Sequence, residues 1–219
     1  MYSICTKEFR VLEKHFFNTL KDDWEMHIEF FPRGGSFQTD EWYAITRRKI
    51  QILINAISSN WGHVIVWCDL DIQFFKSCSN TIHQCLENKD IAFQCESFEA
   101  FEKCLDCKIN SGFMAIRCNE SALSFFGKIL KIDFSRLPYG DQSAINTILL
   151  QEPELIRWTV FPDKVWAMSQ GGWPPEDIIL HHANCAATPE EKLKQFKAIR
   201  RRLWAARLGL RRLVLIKNC

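Results

Sequence analysis

Val64-Ile65-Val66-Trp67-Cys68-Asp69-Leu70-Asp71 decides how this chain is read. Its apolar run, bounded by Gly62 and the two acids, suits a short strand buried on both faces, as in a parallel sheet. Strand and helix patterns alternate on either side of it. Upstream, Tyr2 to Thr6 reads as a strand and Glu8 to Leu20 as a helix, on the spacing of Phe9, Leu12, Phe16 and Leu20. Met26 to Phe31 follows as a strand, Pro32-Arg33-Gly34-Gly35 as a loop and Glu41 to Ser58 as a helix. Downstream, strands are expected at Ile91 to Cys95, Ile109 to Cys118, Ile156 to Phe161 and Ile178 to His182. Helices are expected at Ser121 to Lys131 and Gly140 to Leu150, with a long loop over Trp166 to Asp177 and a helical tail from Pro189 onward. The alternation predicts an α/β fold with a mostly parallel central sheet. Ligands of such sheets collect at the carboxyl ends of the strands, which is where Asp69 and Asp71 stand.

The composition is that of an ordinary folded protein: 219 residues, 47% hydrophobic and 25% charged, enough for a core without staples. No basic segment followed by an apolar run opens the chain, and no apolar stretch approaches the roughly 20 residues of a membrane span. The chain therefore reads as cytoplasmic. The ten cysteines are expected as reduced thiols. Only Cys104-Leu105-Asp106-Cys107 has metal-like spacing, and a single CxxC weighs less than thiols packed as small hydrophobes.

Charge is unevenly placed. Residues 190–219 hold ten Lys and Arg against Glu190 and Glu191, which is +8 of a net +2 and leaves −6 for residues 1–189. Phe196, Ile199, Leu203, Ala206, Leu210 and Leu213 make an apolar stripe in this tail. Residues 196–219 thus read as a basic amphipathic C-terminal helix after a domain of residues 1–195. It either packs on the domain or lies on an anionic membrane surface. No aromatic-basic motif points to nucleic acid.

Four short motifs carry chemistry. Asp69 and Asp71, at i and i+2 beyond a buried strand, can hold a hard divalent cation against a diphosphate, or form a solvated loop. His181-His182-Ala183-Asn184 follows a second apolar strand, and a histidine there can complete an Asp, Asp, His set or simply pack in the core. Asn110-Ser111-Gly112 offers amide groups and a close backbone approach, or a plain turn. In Gly140-Asp141-Gln142 the acid either caps a helix or faces a ligand.

Taken in order, these segments resemble the nucleotide-diphospho-sugar transferase family of GT-A-fold glycosyltransferases. The resemblance runs from Ile4-Cys5-Thr6 to about Lys194. It is carried by Arg47-Arg48-Lys49-Ile50, Val66 to Asp71, Asp90-Ile91-Ala92-Phe93-Gln94, Ile109 to Phe113, Gly140-Asp141-Gln142, and His182-Ala183-Asn184 with Lys192. It implies a Rossmann-like nucleotide-sugar fold and transfer of a sugar, with retention, from a nucleoside diphosphate sugar to a glycan, protein or glycolipid acceptor. Asp69, Asp71 and His182 would hold Mn²⁺ or Mg²⁺, and Lys192 would reach the diphosphate. Thr6, Arg48, Lys49, Asp69, Leu70, Asn110, Ser111, Gly112 and Asn184 would line the donor, a UDP-sugar in first place. Asp141 and Gln142 would be catalytic, with Asp141 nearest the anomeric carbon. Two alternatives remain: a haloacid-dehalogenase-type phosphatase using the same DxD, and an inactive nucleotide-sugar-binding module.

Overall fold

The computed structural model describes residues 1–95, 109–167, 172–184 and 186–210. Its strands are β1 (Tyr2–Thr6), β2 (His27–Phe31), β3 (Val64–Cys68), β4 (Ile72–Phe74), β5 (Ile91–Cys95), β6 (Ile109–Arg117), β7 (Trp158–Val160), β8 (Val165–Trp166) and β9 (Leu180–His182). Its helices are α1 (Arg10–Thr19), α2 (Asp40–Ser59), α3 (Ser79–Cys85), α4 (Glu120–Ile129), α5 (Gly140–Gln151) and α6 (Pro189–Arg207). The main sheet has the order β2-β1-β3-β6-β5-β7. β1 runs parallel to β2 and β3, and β5 parallel to β7, while β6 lies antiparallel between β3 and β5. The expected α/β architecture with a mostly parallel sheet is what the chain adopts.

β3 sits inside the sheet because both of its faces are apolar. Ile65 and Trp67 face one core, with Ile50, Leu53 and Ile57 of α2 and Phe125 and Phe126 of α4. Val66 and Cys68 face the other, with Phe16 of α1, Phe113, Phe161 and Leu180. The period of two along the strand makes the division.

A second sheet, β4-β9-β8, lies beyond the end of β3. The sequence reading did not foresee β4, β8 or α3. β4 and β8 are three and two residues long, too short for a periodic signal. The strand expected over Ile156 to Phe161 is confined to Trp158–Val160.

α6 opens on a capping box: Thr188 accepts from the Glu191 amide, Glu191 answers to the Thr188 amide, and Pro189 fills the first turn. It ends where Gly209 takes a φ of +70° and its amide donates to Ala206 O, with Leu210 N donating to Ala205 O. The helix runs without interruption through the boundary expected after residue 195. Phe196, Ile199 and Leu203 are buried against Leu12, Ala183, Trp166 and Ile178, so the stripe packs on the domain. The last nine residues, Leu213 among them, lie outside the described residues, as do Cys104 and Cys107. Cys5, Cys68, Cys78, Cys85, Cys95 and Cys118 are free thiols. Among the described residues no helix is long and apolar enough to cross a membrane.

Candidate active site

Beyond Cys68 the chain turns, and the Asp69 amide donates to Gly112 O (2.8 Å), tying the turn to β6. Leu70 is buried in the core. The flanking Asp69 and Asp71 carboxylates point the other way, into a cleft. β4 then pairs antiparallel with β9, Ile72 opposite His182, and the Ala183 amide donates to Asp71 O (2.9 Å). This register carries His182 Nε2 to 3.3 Å from Asp71 Oδ1. One ligand atom from each of Asp69, Asp71 and His182 falls within 4.8 Å of the others. His181 faces the opposite side, with Nδ1 on Gln73 and its ring against Trp166 and Phe196. Burial pushes its pKa down to about 3.

Gln94 orients the His182 ring. Its amide nitrogen donates to Val165 O (3.4 Å), which leaves the amide oxygen 3.0 Å from His182 Nδ1. A carbonyl oxygen only accepts, so Nδ1 carries a proton, and Nε2 is the ring atom turned to the carboxylates. Gly112 lies directly beneath: a Cβ there would meet His182 Cε1 at 2.2 Å. The glycine is required because the imidazole occupies the space of a side chain. Asn110 Oδ1 accepts from the Gly112 amide (2.8 Å) and holds this stretch of backbone.

Two buried lysines enter from opposite sides. Lys192, placed in the first turn of α6 by the capping box, sets Nζ 2.5 Å from Asp71 Oδ2 and 2.8 Å from Ala183 O. Burial is the largest single influence on the Asp71 carboxyl and would raise it, but Lys192 and His182 together, through charge and hydrogen bonding, hold it well below the usual carboxylate range. Lys49, from the middle of α2, lies 3.0 Å from Asp141 Oδ2 and 3.7 Å from Asp69 Oδ1 and donates to Ser111 O (2.6 Å). Burial works against its charge, yet Asp141 and Asp69 together raise it. Asp69 accepts from Trp67 Nε1 (2.7 Å) and keeps about a third (35%) of its side chain open to the cleft. Loss of water around its carboxyl raises it, Lys49 opposes this, and Asp71 adds to the rise.

Asp141 does not cap α5. The cap position is Tyr139, whose amide donates to Ser143 Oγ (3.2 Å), and Asp141 turns inward to Lys49. Gln142 follows, partly exposed. Thr6 closes β1 with Gly34 pressed against it, and Asn184 lies two residues past His182. Arg48 is turned away from the cleft: its guanidinium grips both Glu29 oxygens on β2 (2.8 and 3.0 Å). Asp90 likewise belongs to the far end of the sheet, where Arg157 holds it in a two-bonded pair.

The family model for nucleotide-diphospho-sugar transferases matches residues 7–196. The chain belongs to that family. This transferase also resembles solved glycosyltransferases in fold. One, involved in glycosylation of the major capsid of PBCV-1, matches with a TM-score of 0.58 at 14% identity, covering 89% of this chain and 98% of the other. Mouse xyloside xylosyltransferase 1 matches at 0.51 and 12% identity, over 84% and 97%. GlyE of Streptococcus pneumoniae matches at 0.56 and 10%, over 89% of this chain and 59% of its own. No curated protein matches the transferase in sequence. Nothing favours the phosphatase alternative.

Proposed function

We propose that this transferase moves a sugar from a nucleoside diphosphate sugar to an acceptor hydroxyl, with a divalent metal ion in the site and retention at the transferred carbon. The observation that carries the reading is the Asp69, Asp71 and His182 set flanked by buried Lys49 and Lys192. Two carboxylates and an imidazole nitrogen, its other ring nitrogen held by Gln94, suit Mn²⁺ or Mg²⁺. When bound, the ion supplies positive charge beside the departing diphosphate. Asp71 and His182 would be the principal ligands, and Asp69 would serve both metal and ribose.

Charge balance supports the same reading. Asp69, Asp71 and Asp141 face Lys49 and Lys192, one negative charge in excess. A divalent cation turns that excess positive, as a diphosphate requires. Lys192, on the side of Asp71, offers its ammonium to the leaving diphosphate. Lys49 holds Asp141 toward the reacting carbon, with Gln142 next to it. Among the described residues every carboxylate of this cleft has a lysine partner. None is left as a base for an inverting displacement, which favours retention. Thr6, Asn110, Ser111, Gly112 and Asn184, with the backbone of Leu70, make up the donor-side wall, with a UDP-sugar as first donor to test.

A screen of UDP- and GDP-sugars tests the reading. Donor hydrolysis and thermal stabilisation that require Mn²⁺, and are lost in Asp71→Ala, are the expected result. Failure of every nucleotide sugar to bind in Mn²⁺ would overturn it, and the anomeric configuration of the product decides retention.

Peripheral membrane contact is proposed for a different face of α6 from the stripe. Trp204 and Leu208 are exposed one turn apart among exposed Lys197, Arg201 and Arg207.

A further inference from the structure

A patch of exposed rings adjoins Gly140, the residue before Asp141. Phe37 and Tyr139 leave 54% and 45% of their surface in water. Their centroids are 6.3 Å apart at a 41° tilt, and Phe37 stands edge-on to Trp42 at 5.0 Å. Single exposed rings are ordinary, but a contiguous group marks a binding surface.

The patch is built in advance. Gln38, a non-glycine residue at φ +64°, donates from its side-chain amide to Pro138 O (3.1 Å), and the Tyr43 hydroxyl donates to Leu137 O (3.2 Å). These bonds fasten the loop before α2, and the first turn of α2, to the loop before α5. Gly140, at φ +49°, allows the contact, since a Cβ there would meet Thr46 Oγ1 at 2.8 Å and the Trp42 ring at 3.1 Å. Rings fixed before a ligand arrives lose little freedom on binding it.

Position gives the patch its meaning. Trp42, Thr46 and Lys49 share one face of α2, at i, i+4 and i+7. About 10 Å of helix axis separates Trp42 from Lys49. Lys49 holds Asp141, and Tyr139 is two residues before it. A ligand with its reacting end at Asp141 therefore extends over the rings.

We infer that Phe37, Trp42 and Tyr139 form the acceptor subsite and that the acceptor is a carbohydrate chain, the unit beyond the reacting one stacking on Phe37 or Tyr139. The inference rests on the transferase reading above. A pyranose has a face of C–H bonds that covers one aromatic ring, and a rim of hydroxyls that reaches water, the Tyr139 hydroxyl and the Gln38 amide. An acyl chain would need a longer apolar groove. Here exposed Asp40, Glu41 and Arg136 adjoin the ring-bearing loops.

The test is direct binding, which needs neither donor nor turnover. Trisaccharides of glucose, galactose, mannose, xylose and N-acetylglucosamine are titrated against the full chain, by saturation-transfer NMR and tryptophan fluorescence. At least one trisaccharide is expected to bind more tightly than its monosaccharide, to lose about tenfold in affinity in Phe37→Ala, and to recover in Phe37→Trp. Phe37 is mostly exposed, so its removal empties no core, and circular dichroism checks the fold of each variant. Binding indifferent to Phe37→Ala, binding of detergent acyl chains in place of sugars, or no trisaccharide binding overturns the inference. The donor screen is read separately. Nucleotide-sugar binding without trisaccharide binding refutes the subsite alone, and trisaccharide binding without nucleotide-sugar binding refutes the transferase reading and leaves the rings a carbohydrate-binding surface with no acceptor role.

Discussion

Gly112→Ala should damage the site through a single methyl group. The new Cβ would lie 2.2 Å from His182 Cε1, 2.7 Å from Nδ1 and 3.0 Å from Asn110 Oδ1. Ordinary contact begins at 3.4 Å, so the ring must retreat by at least 1.2 Å. That movement exceeds what the 3.0 Å bond to Gln94 tolerates and disturbs the 3.3 Å approach to Asp71. A lost buried hydrogen bond costs about 1 kcal/mol and overpacking about 1–3 kcal/mol. Gly to Ala at an unstrained backbone position returns about 0.5 kcal/mol through the unfolded chain. The net loss is about 2 kcal/mol, a fall in Tm of roughly 4–8 °C for a chain of this size. Mn²⁺ affinity should fall about 10- to 100-fold, because the ligand has lost its orientation. Isothermal titration with Mn²⁺ and urea denaturation measure the two effects. The decisive comparison is the same substitution in a His182→Ala background. With the ring gone the methyl has room, and the cost in stability should nearly vanish. An equal cost in both backgrounds, or a Gly112→Ala protein with wild-type Tm and Mn²⁺ affinity, would refute the reasoning.

Other expectations follow from the same geometry. Gln94→Leu removes the acceptor for His182 Nδ1 and should weaken Mn²⁺ about 10- to 100-fold with little change in fold, while Gln94→Glu keeps an acceptor and should retain binding, both read by electron paramagnetic resonance of free Mn²⁺. Asp71→Ala strands the buried Lys192 ammonium as well as removing a ligand, and should cost about 3 kcal/mol; adding Lys192→Met should restore much of the stability, but no metal binding, in urea melts. Burial would raise Asp22, but hydrogen bonds from Ser77, Ser79 and Cys78 lower it from 3.8 to about 2. Its stabilisation is therefore complete above pH 4 and lost as pH falls through 2, so the gap between wild type and Asp22→Ala should close by about 1–2 kcal/mol over that interval, allowing for partial exposure. Trp204→Ala with Leu208→Ala should abolish pelleting with anionic vesicles and leave Tm unchanged; pelleting that survives, or none by the wild type, removes the membrane proposal.

The parts of the fold visible in the sequence were those with a long enough period. α2 runs over Asp40–Ser59 and β6 over Ile109–Arg117, and both are close to their expected limits. In the second sheet β9 falls within the strand expected over Ile178 to His182, but β4 and β8 leave no such trace, and with β4 went the reason that His182 meets Asp71. Lys49 shows the same limit differently. In the sequence it is one of three adjacent cations, Arg47, Arg48 and Lys49, and only the turn of the helix sends Lys49 into the cleft and Arg48 to Glu29. Asp141 could be read as a cap because an acid near a helix start often is one. Its pairing across the fold with Lys49 depends on packing between α2 and α5, which no local pattern encodes.

The pairing of β4 with β9 has a further consequence for the two adjacent histidines. Successive residues of a strand face opposite ways, so a slip by one position would present His181 to the carboxylates and turn His182 away from them. Residue type is the same in either register. What separates them is the surroundings: Gln94 and the space above Gly112 accept one ring, while Gln73, Trp166 and Phe196 enclose the other. The two ring pockets, rather than the residue offered to the carboxylates, therefore check the alignment of the strand, since a slipped chain would keep an imidazole there but lose both fits.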